Sequence, residues 1–103
     1  MVRYRSHMEI RYGHFAEFLE IFEELNRLIA ARGWSTFTAF VPTVGKGNAL
    51  VLEAEYPDLA TFDRETTAFY GDAECMKVFR RGSELVVQGS NYDELLQPAP
   101  HLA

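Results

Sequence analysis

The sequence predicts an α+β domain, a ferredoxin-like β-α-β-β-α-β half-barrel whose four strands form one antiparallel sheet in the order 4-1-3-2. Three observations predict it. A strictly alternating N-terminal segment leads into one strongly amphipathic helix. Two β-rich runs follow, joined by a glycine-rich turn. A second helical region then precedes a short terminal strand.

The first strand covers residues 2–11. Val2, Tyr4, Ser6, Met8 and Ile10 fall on one face; Arg3, Arg5, His7, Glu9 and Arg11 fall on the other. Gly13 ends the alternation. From His14 the period becomes helical: Phe15, Phe18, Leu19, Phe22, Leu25 and Ile29 make one stripe, and Glu17, Glu20, Glu23, Glu24 and Arg27 cover the opposite side. Arg32 in the last turn and Gly33 beyond it favour a helix end there. Phe18, Phe22, Leu25 and Leu52 are the expected core between helix and sheet.

Residues 34–41 are rich in aromatic and β-branched types and read as the second strand, closed by Pro42. Gly45-Lys46-Gly47-Asn48 is the turn before a third strand over residues 49–56, so the pair reads as a hairpin. That turn is not a phosphate loop. It lacks the Gly-x-x-x-x-Gly-Lys-Ser/Thr pattern, and no helix follows. Asp58 is suited to cap a helix from Leu59 to about Tyr70. Gly71-Asp72 interrupts it, and Asp72 can cap a second segment with Met76, Phe79 and Val86 at helical spacing, reaching about Val87. Gly82 weakens its middle. Asn91 to Leu96 read as the last strand, so residues 1–97 form one domain and residues 98–103 a flexible tail bearing Pro98, Pro100 and His101.

Composition bounds the function. A chain of 103 residues is one domain. A hydrophobic fraction of 48% argues for a packed core. The net charge of -5 opposes non-specific nucleic-acid binding. No apolar run is long enough to span a membrane. Cys75 is alone, so no internal disulfide forms, and the N-terminus lacks the apolar core of a signal peptide. A cytoplasmic location is expected.

The hairpin carries a resemblance. Gly45, Asn48 and Tyr56, with Leu50 at a Val position, stand in register with the Gly-x-Leu-Asn-x-Val-x-His-Leu-Trp-x-Tyr run of the NIPSNAP family. Gly13 followed by Phe18-Leu19, together with Asp58-Leu59 and Arg64, also fits. The chain therefore resembles that family, within the dimeric α/β-barrel superfamily, over most of residues 5–97. Leu52 and Ala54 stand at the family's His and Trp positions, and Ser6-His7-Met8 replaces its Arg-x-Tyr. The resemblance implies the fold and a homodimer rather than a particular reaction. The superfamily also includes cofactor-independent monooxygenases and haem-degrading enzymes.

Two candidate sites follow from the expected faces. Arg5, His7 and Glu9 from the first strand, with Val51, Glu53 and Glu55 from the third, form a polar face away from the helices; Arg5 is expected to pair with Glu53 or Glu55. On that face His7 is the candidate catalytic acid or base, set against a plain network of ion pairs. No metal site is expected, because no ligand spacing recurs around His7, Glu9 and Glu53. The second site lies between helices and sheet, where Tyr4, Trp34, Tyr56, Phe69 and Tyr70 can line a pocket for a ring-bearing ligand or simply fill the core. No cofactor is expected; without a His between Leu59 and Val87, no helix histidine there can ligate haem. Three functions remain open: a homodimer binding a small organic ligand, a cofactor-independent monooxygenase of the antibiotic-biosynthesis type, and a structural dimer without ligand. Dimerisation would cover the open sheet face at Val51 and Phe37. Any ligand should use His7 or the Trp34–Tyr70 group rather than the Gly45–Asn48 turn.

Overall fold

The computed structural model describes residues 1–100. Its elements are β1 (Val2–Glu9), α1 (Phe15–Ala31), β2 (Thr38–Phe40), β3 (Ala49–Tyr56), α2 (Leu59–Tyr70), α3 (Ala73–Ser83) and β4 (Tyr92–Leu96). The sheet order is β2-β3-β1-β4, every pair antiparallel, which is the 4-1-3-2 order of the ferredoxin-like fold. Proline-flanked residues 98–100 are exposed and outside regular structure. The rest of the expected tail, His101 included, lies outside the described residues. Among the described residues no helix is long and apolar enough to cross a membrane.

Local chemistry accounts for the helix boundaries. Asp58 accepts a hydrogen bond from the Thr61 N–H at 2.7 Å, and Asp72 accepts one from Cys75 N–H at 2.9 Å. Each carboxylate thereby satisfies one of the amides that a helix start leaves without a partner. At the other end of α1, Gly33 adopts φ +74°, a conformation that costs a residue with a Cβ far more. The Gly33 N–H donates to Ala30 O at 3.0 Å and the Trp34 N–H to Ile29 O at 3.2 Å, so this reversal sets where Trp34 sits.

Several expected boundaries move. Strand β2 holds only Thr38–Phe40, because residues 34–37 bond to the helices instead of β3. Asn26 of α1 donates to Phe37 O at 3.0 Å and accepts from Phe37 N–H at 2.8 Å, and Glu65 of α2 accepts from Ser35 N–H at 2.7 Å. Phe37 consequently packs edge-on to Tyr4 under the helices and is not on the open face. The last helix stops at Ser83 rather than Val87. Residues beyond it run beside the end of β1: Arg11 N–H donates to Leu85 O and Val87 N–H to Glu9 O, both at 2.8 Å. Val86 bridges Ile10, so β1 itself ends at Glu9 and Ile10 continues only as that isolated bridge. The buried face of α3 is Cys75, Val78 and Gly82, not the Met76–Phe79 stripe. Gly82 faces α1 with room to spare: a Cβ there would meet Ile21 at 3.4 Å and Phe18 at 3.5 Å, ordinary contact distances.

The core is in two pieces. One holds Ile10, Phe18, Ile21, Leu50, Val78 and Leu85. The other holds Val2, Ala54 and Tyr56, with Tyr4, Phe37 and Phe62 against it. Phe18 is buried as expected, but Phe22, Leu25 and Leu52 are only half-buried, because they border an open space between helices and sheet.

Candidate functional site: a cavity under the helices

The helix-facing side chains of β1 and β3 form the floor of a cavity of about 750 Å³. That volume lies within the usual range for small-molecule sites. Tyr4, Trp34, Tyr56, Phe69 and Tyr70 all line it, so the structure brings that aromatic group together. The wall is assembled from distant elements: Tyr4 from β1, Trp34 from the turn after α1, Tyr56 from the end of β3, and Phe69 and Tyr70 from the last turn of α2. Phe69, Tyr70 and Phe79 stack edge to face, with centroids 5.3 to 6.1 Å apart, at the junction of α2 and α3. Such pairs hold their rings in place beyond the area they bury. Tyr4 likewise meets Phe37 at 6.0 Å and Phe62 at 5.5 Å.

Polar side chains from several elements also border the cavity, and one group of them is hydrogen-bonded together. Tyr4 Oη donates to Asp93 Oδ2 at 2.7 Å, and Ser6 Oγ donates to Asp93 Oδ1 at 2.8 Å. Burial pushes the Tyr4 hydroxyl well above its ordinary titration range, and the hydrogen bond to Asp93 pushes it further. Burial, with the nearby Glu65 carboxylate second, raises Tyr56 to about 12. Both phenols therefore stay protonated at neutral pH. Ser6, Asp93 and Phe62 are not among the site candidates read from the sequence, and Phe37 was expected on the opposite face of the sheet. For Ser6 the β1 alternation was a usable signal, since it shares a face with Tyr4 and Met8. For Asp93 there was none, because its place depends on how β4 registers against β1.

The opposite sheet face holds the second candidate group. Arg5 Nε lies 2.8 Å from Glu53 Oε2. Arg3 pairs with Glu55 and also lies 3.0 Å from Glu53, without hydrogen-bond alignment at its Nε. Glu9 meets Lys46 Nζ at 3.3 Å. His7 is 2.5 Å from Glu94 and stacks on Tyr92 with ring centroids 4.4 Å apart. His7 is thus held on the face away from the cavity and does not line it. Arg11, expected beside it, lines the cavity instead, because the strand alternation has ended by that point. His14 is exposed beside Glu17. Among the described residues no three His, Cys, Asp or Glu side chains are grouped to hold a metal ion.

The Gly45–Asn48 turn serves the fold. Asn48 is buried, and its Nδ2 donates to Ile10 O at 3.1 Å while its own carbonyl accepts from Ile10 N–H.

No family model matches the sequence, and no curated protein does. Solved structures do match. An uncharacterised NIPSNAP domain protein from Burkholderia xenovorans superposes with a TM-score of 0.80 at 17% identity, over 100% of this chain and 99% of that one. The fold is that of the NIPSNAP domain proteins. A NIPSNAP family protein from Agrobacterium tumefaciens gives 0.77 at 21% identity, over 95% of this chain and 92% of its own. A variant of SnoaB, a cofactor-independent oxygenase from Streptomyces nogalater, gives 0.72 at 18% identity, over 98% and 95%. At these identities the NIPSNAP likeness concerns architecture; what the cavity does has to be argued from its own residues.

Proposed function

We propose that this chain, with residues 1–97 as its folded unit, works as a homodimer whose subunits each bind a small ring-bearing organic molecule beneath the helices. The observation that carries the ligand reading is the aromatic cavity of about 750 Å³. Core packing in proteins normally leaves few voids larger than a water. Here Phe22, Leu25 and Leu52, which would otherwise close the core, stand around the space instead of filling it. A lone, buried Cys75, whose thiol burial makes harder to ionise, suits a reducing cytoplasmic setting.

The dimer reading rests on the open sheet face. Phe40, Val51, His7 and Tyr92 are register partners across all four strands. They form a transverse row, and Phe40 and Tyr92 are 50% and 59% exposed. The next row, Thr38, Glu53, Arg5 and Glu94, is polar and ion-paired. A mainly aromatic row, Phe40, Val51 and Tyr92 with the His7 ring stacked on Tyr92, beside a charged one resembles an interface core with its polar border. A second copy packed face to face would bury more than ~1,200 Å² in all.

Equilibrium dialysis with 2-naphthol tests the ligand reading. Saturable binding lost in Trp34→Ala and kept in Lys46→Ala is the expected result; no binding to the unmodified protein removes the reading. A second reading, cofactor-independent oxygenation of an aromatic substrate, is favoured by the shared fold with an oxygenase of that description. Oxygen uptake with 1,8-dihydroxyanthrone above the protein-free rate would support it.

A further inference from the structure

Three carboxylates, Asp93, Glu65 and Glu84, border the cavity beside one cation, Arg11, and neutral polar side chains such as Asn26 and Gln88. Glu65 already accepts the Ser35 amide. Asp93 is different. It stands on β4 opposite Ser6, and its two oxygens take the hydroxyl protons of Tyr4 and Ser6. An ionised carboxylate has about four acceptor positions, so two protein donors leave room for a third. Tyr4 and Ser6 have also committed their protons, which leaves their oxygens facing the cavity as acceptors. The whole cluster therefore offers lone pairs and no free proton.

On the reading that the cavity binds a ring-bearing molecule, we infer that Asp93 is its specificity-determining residue and selects rings that carry a hydrogen-bond donor, such as a phenol, over rings that carry a carboxylate or only an acceptor. A donor placed at the cluster reaches a carboxylate at the open edge of the aromatic wall, and a hydrogen bond to a carboxylate is stronger than one between neutral groups. A ring ending in a methoxy group brings no proton and gains nothing from the carboxylate, which keeps its water. A ring ending in a carboxylate meets a like charge. Asp93 is itself solvent-exposed, so an analogue without the donor forfeits one charge-assisted hydrogen bond, a loss of about tenfold in affinity, without stranding a buried group.

The test compares three naphthalenes on the unmodified protein by equilibrium dialysis at neutral pH. The expected order is 2-naphthol first, 2-methoxynaphthalene about tenfold weaker, and 2-naphthoate weaker again. In Asp93→Asn the tenfold gap between naphthol and its methyl ether shrinks to about threefold or less, and naphthoate gains. In Tyr4→Phe, which keeps the carboxylate, the gap persists. Equal affinity for naphthol and its ether in the unmodified protein overturns the inference while leaving the cavity reading intact. A gap that follows Tyr4 and survives Asp93→Asn overturns it too. Failure of all three compounds to bind removes the cavity reading and this inference together. The comparison of ligands on the unmodified protein stands whatever the stability of either variant.

Discussion

The two faces of the sheet are built from the same strands, one residue apart, and they do opposite things. On the helix side, Tyr4, Ser6, Leu52 and Tyr56 leave space and line it mostly with rings. On the open side, Arg3, Arg5, His7 and Glu53 leave little unpaired: each long charged side chain finds an opposite charge on a neighbouring strand. The difference teaches that alternation in β1 assigns two environments at once. A register slip of one residue would bring the arginines under the helices and the tyrosine to the open face. Ion pairs on an exposed face contribute a few tenths to ~1 kcal/mol each, so they orient and insulate that face more than they stabilise it. The fold is held elsewhere, in the core cluster at one end of the cavity.

That contrast can be broken by substitution. The largest effect should come from the core cluster. Ile10 and Leu50 are 0% and 1% exposed, and truncating either to Ala should cost ~3–4 kcal/mol by urea titration. A smaller loss would mean the helix side relaxes around the change. Phe22→Ala, at the cavity wall, should cost only about 1–2 kcal/mol, since half-buried rings lose less on truncation. Equal losses at Leu50 and Phe22 would erase the distinction between packed core and cavity wall.

On the open face, Phe40→Glu puts a charge into the mainly aromatic row beside Val51. Sedimentation equilibrium should then show the association weakened by tenfold or more, with the monomer's melting point little changed, because Phe40 is half-exposed within one chain. Unchanged association would show that this row is not the contact.

A smaller effect is expected at the joint between α1 and α3. Asp72 caps α3 and accepts from Arg32 Nε at 2.6 Å. The Arg32 hydrogen bond is the main reason its carboxyl falls from 3.8 to about 2, with the Cys75 amide second. A folded-state value below the unfolded one stabilises the fold above the unfolded pKa. That contribution should be lost as pH falls from about 4 to about 2. The melting-point gap between the unmodified protein and Asp72→Asn should therefore be constant at neutral pH and close across that window. A gap that persists at the acid end would assign the effect to shape rather than charge. Least of all, Gly82→Ala should raise stability by up to ~1 kcal/mol, because its Cβ would meet Ile21 and Phe18 at ordinary contact distance while the helix gains a better former.

Much of the architecture was legible along the chain because periodicity is local. The alternation of residues 2–9 named both faces of β1. The stripe of α1 and the carboxylates at 58 and 72 marked the helices, and the aromatic set Tyr4, Trp34, Tyr56, Phe69 and Tyr70 could be named as candidates. Local pattern alone could not tell that residues 34–37 would trade a strand ladder for Asn26 and Glu65. Nor could it tell that Val86 would leave its helical stripe to bridge Ile10. In both places backbone groups took partners that only folding brings near, and the segment's own propensity yielded to them. The cavity belongs to the same class. Phe22 and Leu52 read as core because their residue types say so; whether facing side chains meet or leave a gap depends on how far the helices stand from the sheet. Asp93 is the sharpest instance. It lies 87 positions from Ser6 in the chain, and only the antiparallel return of β4 beside β1 places its carboxylate under the two hydroxyls. Sequence settled which residues share a face; tertiary register, which no local period encodes, decided which of them meet and what space they enclose.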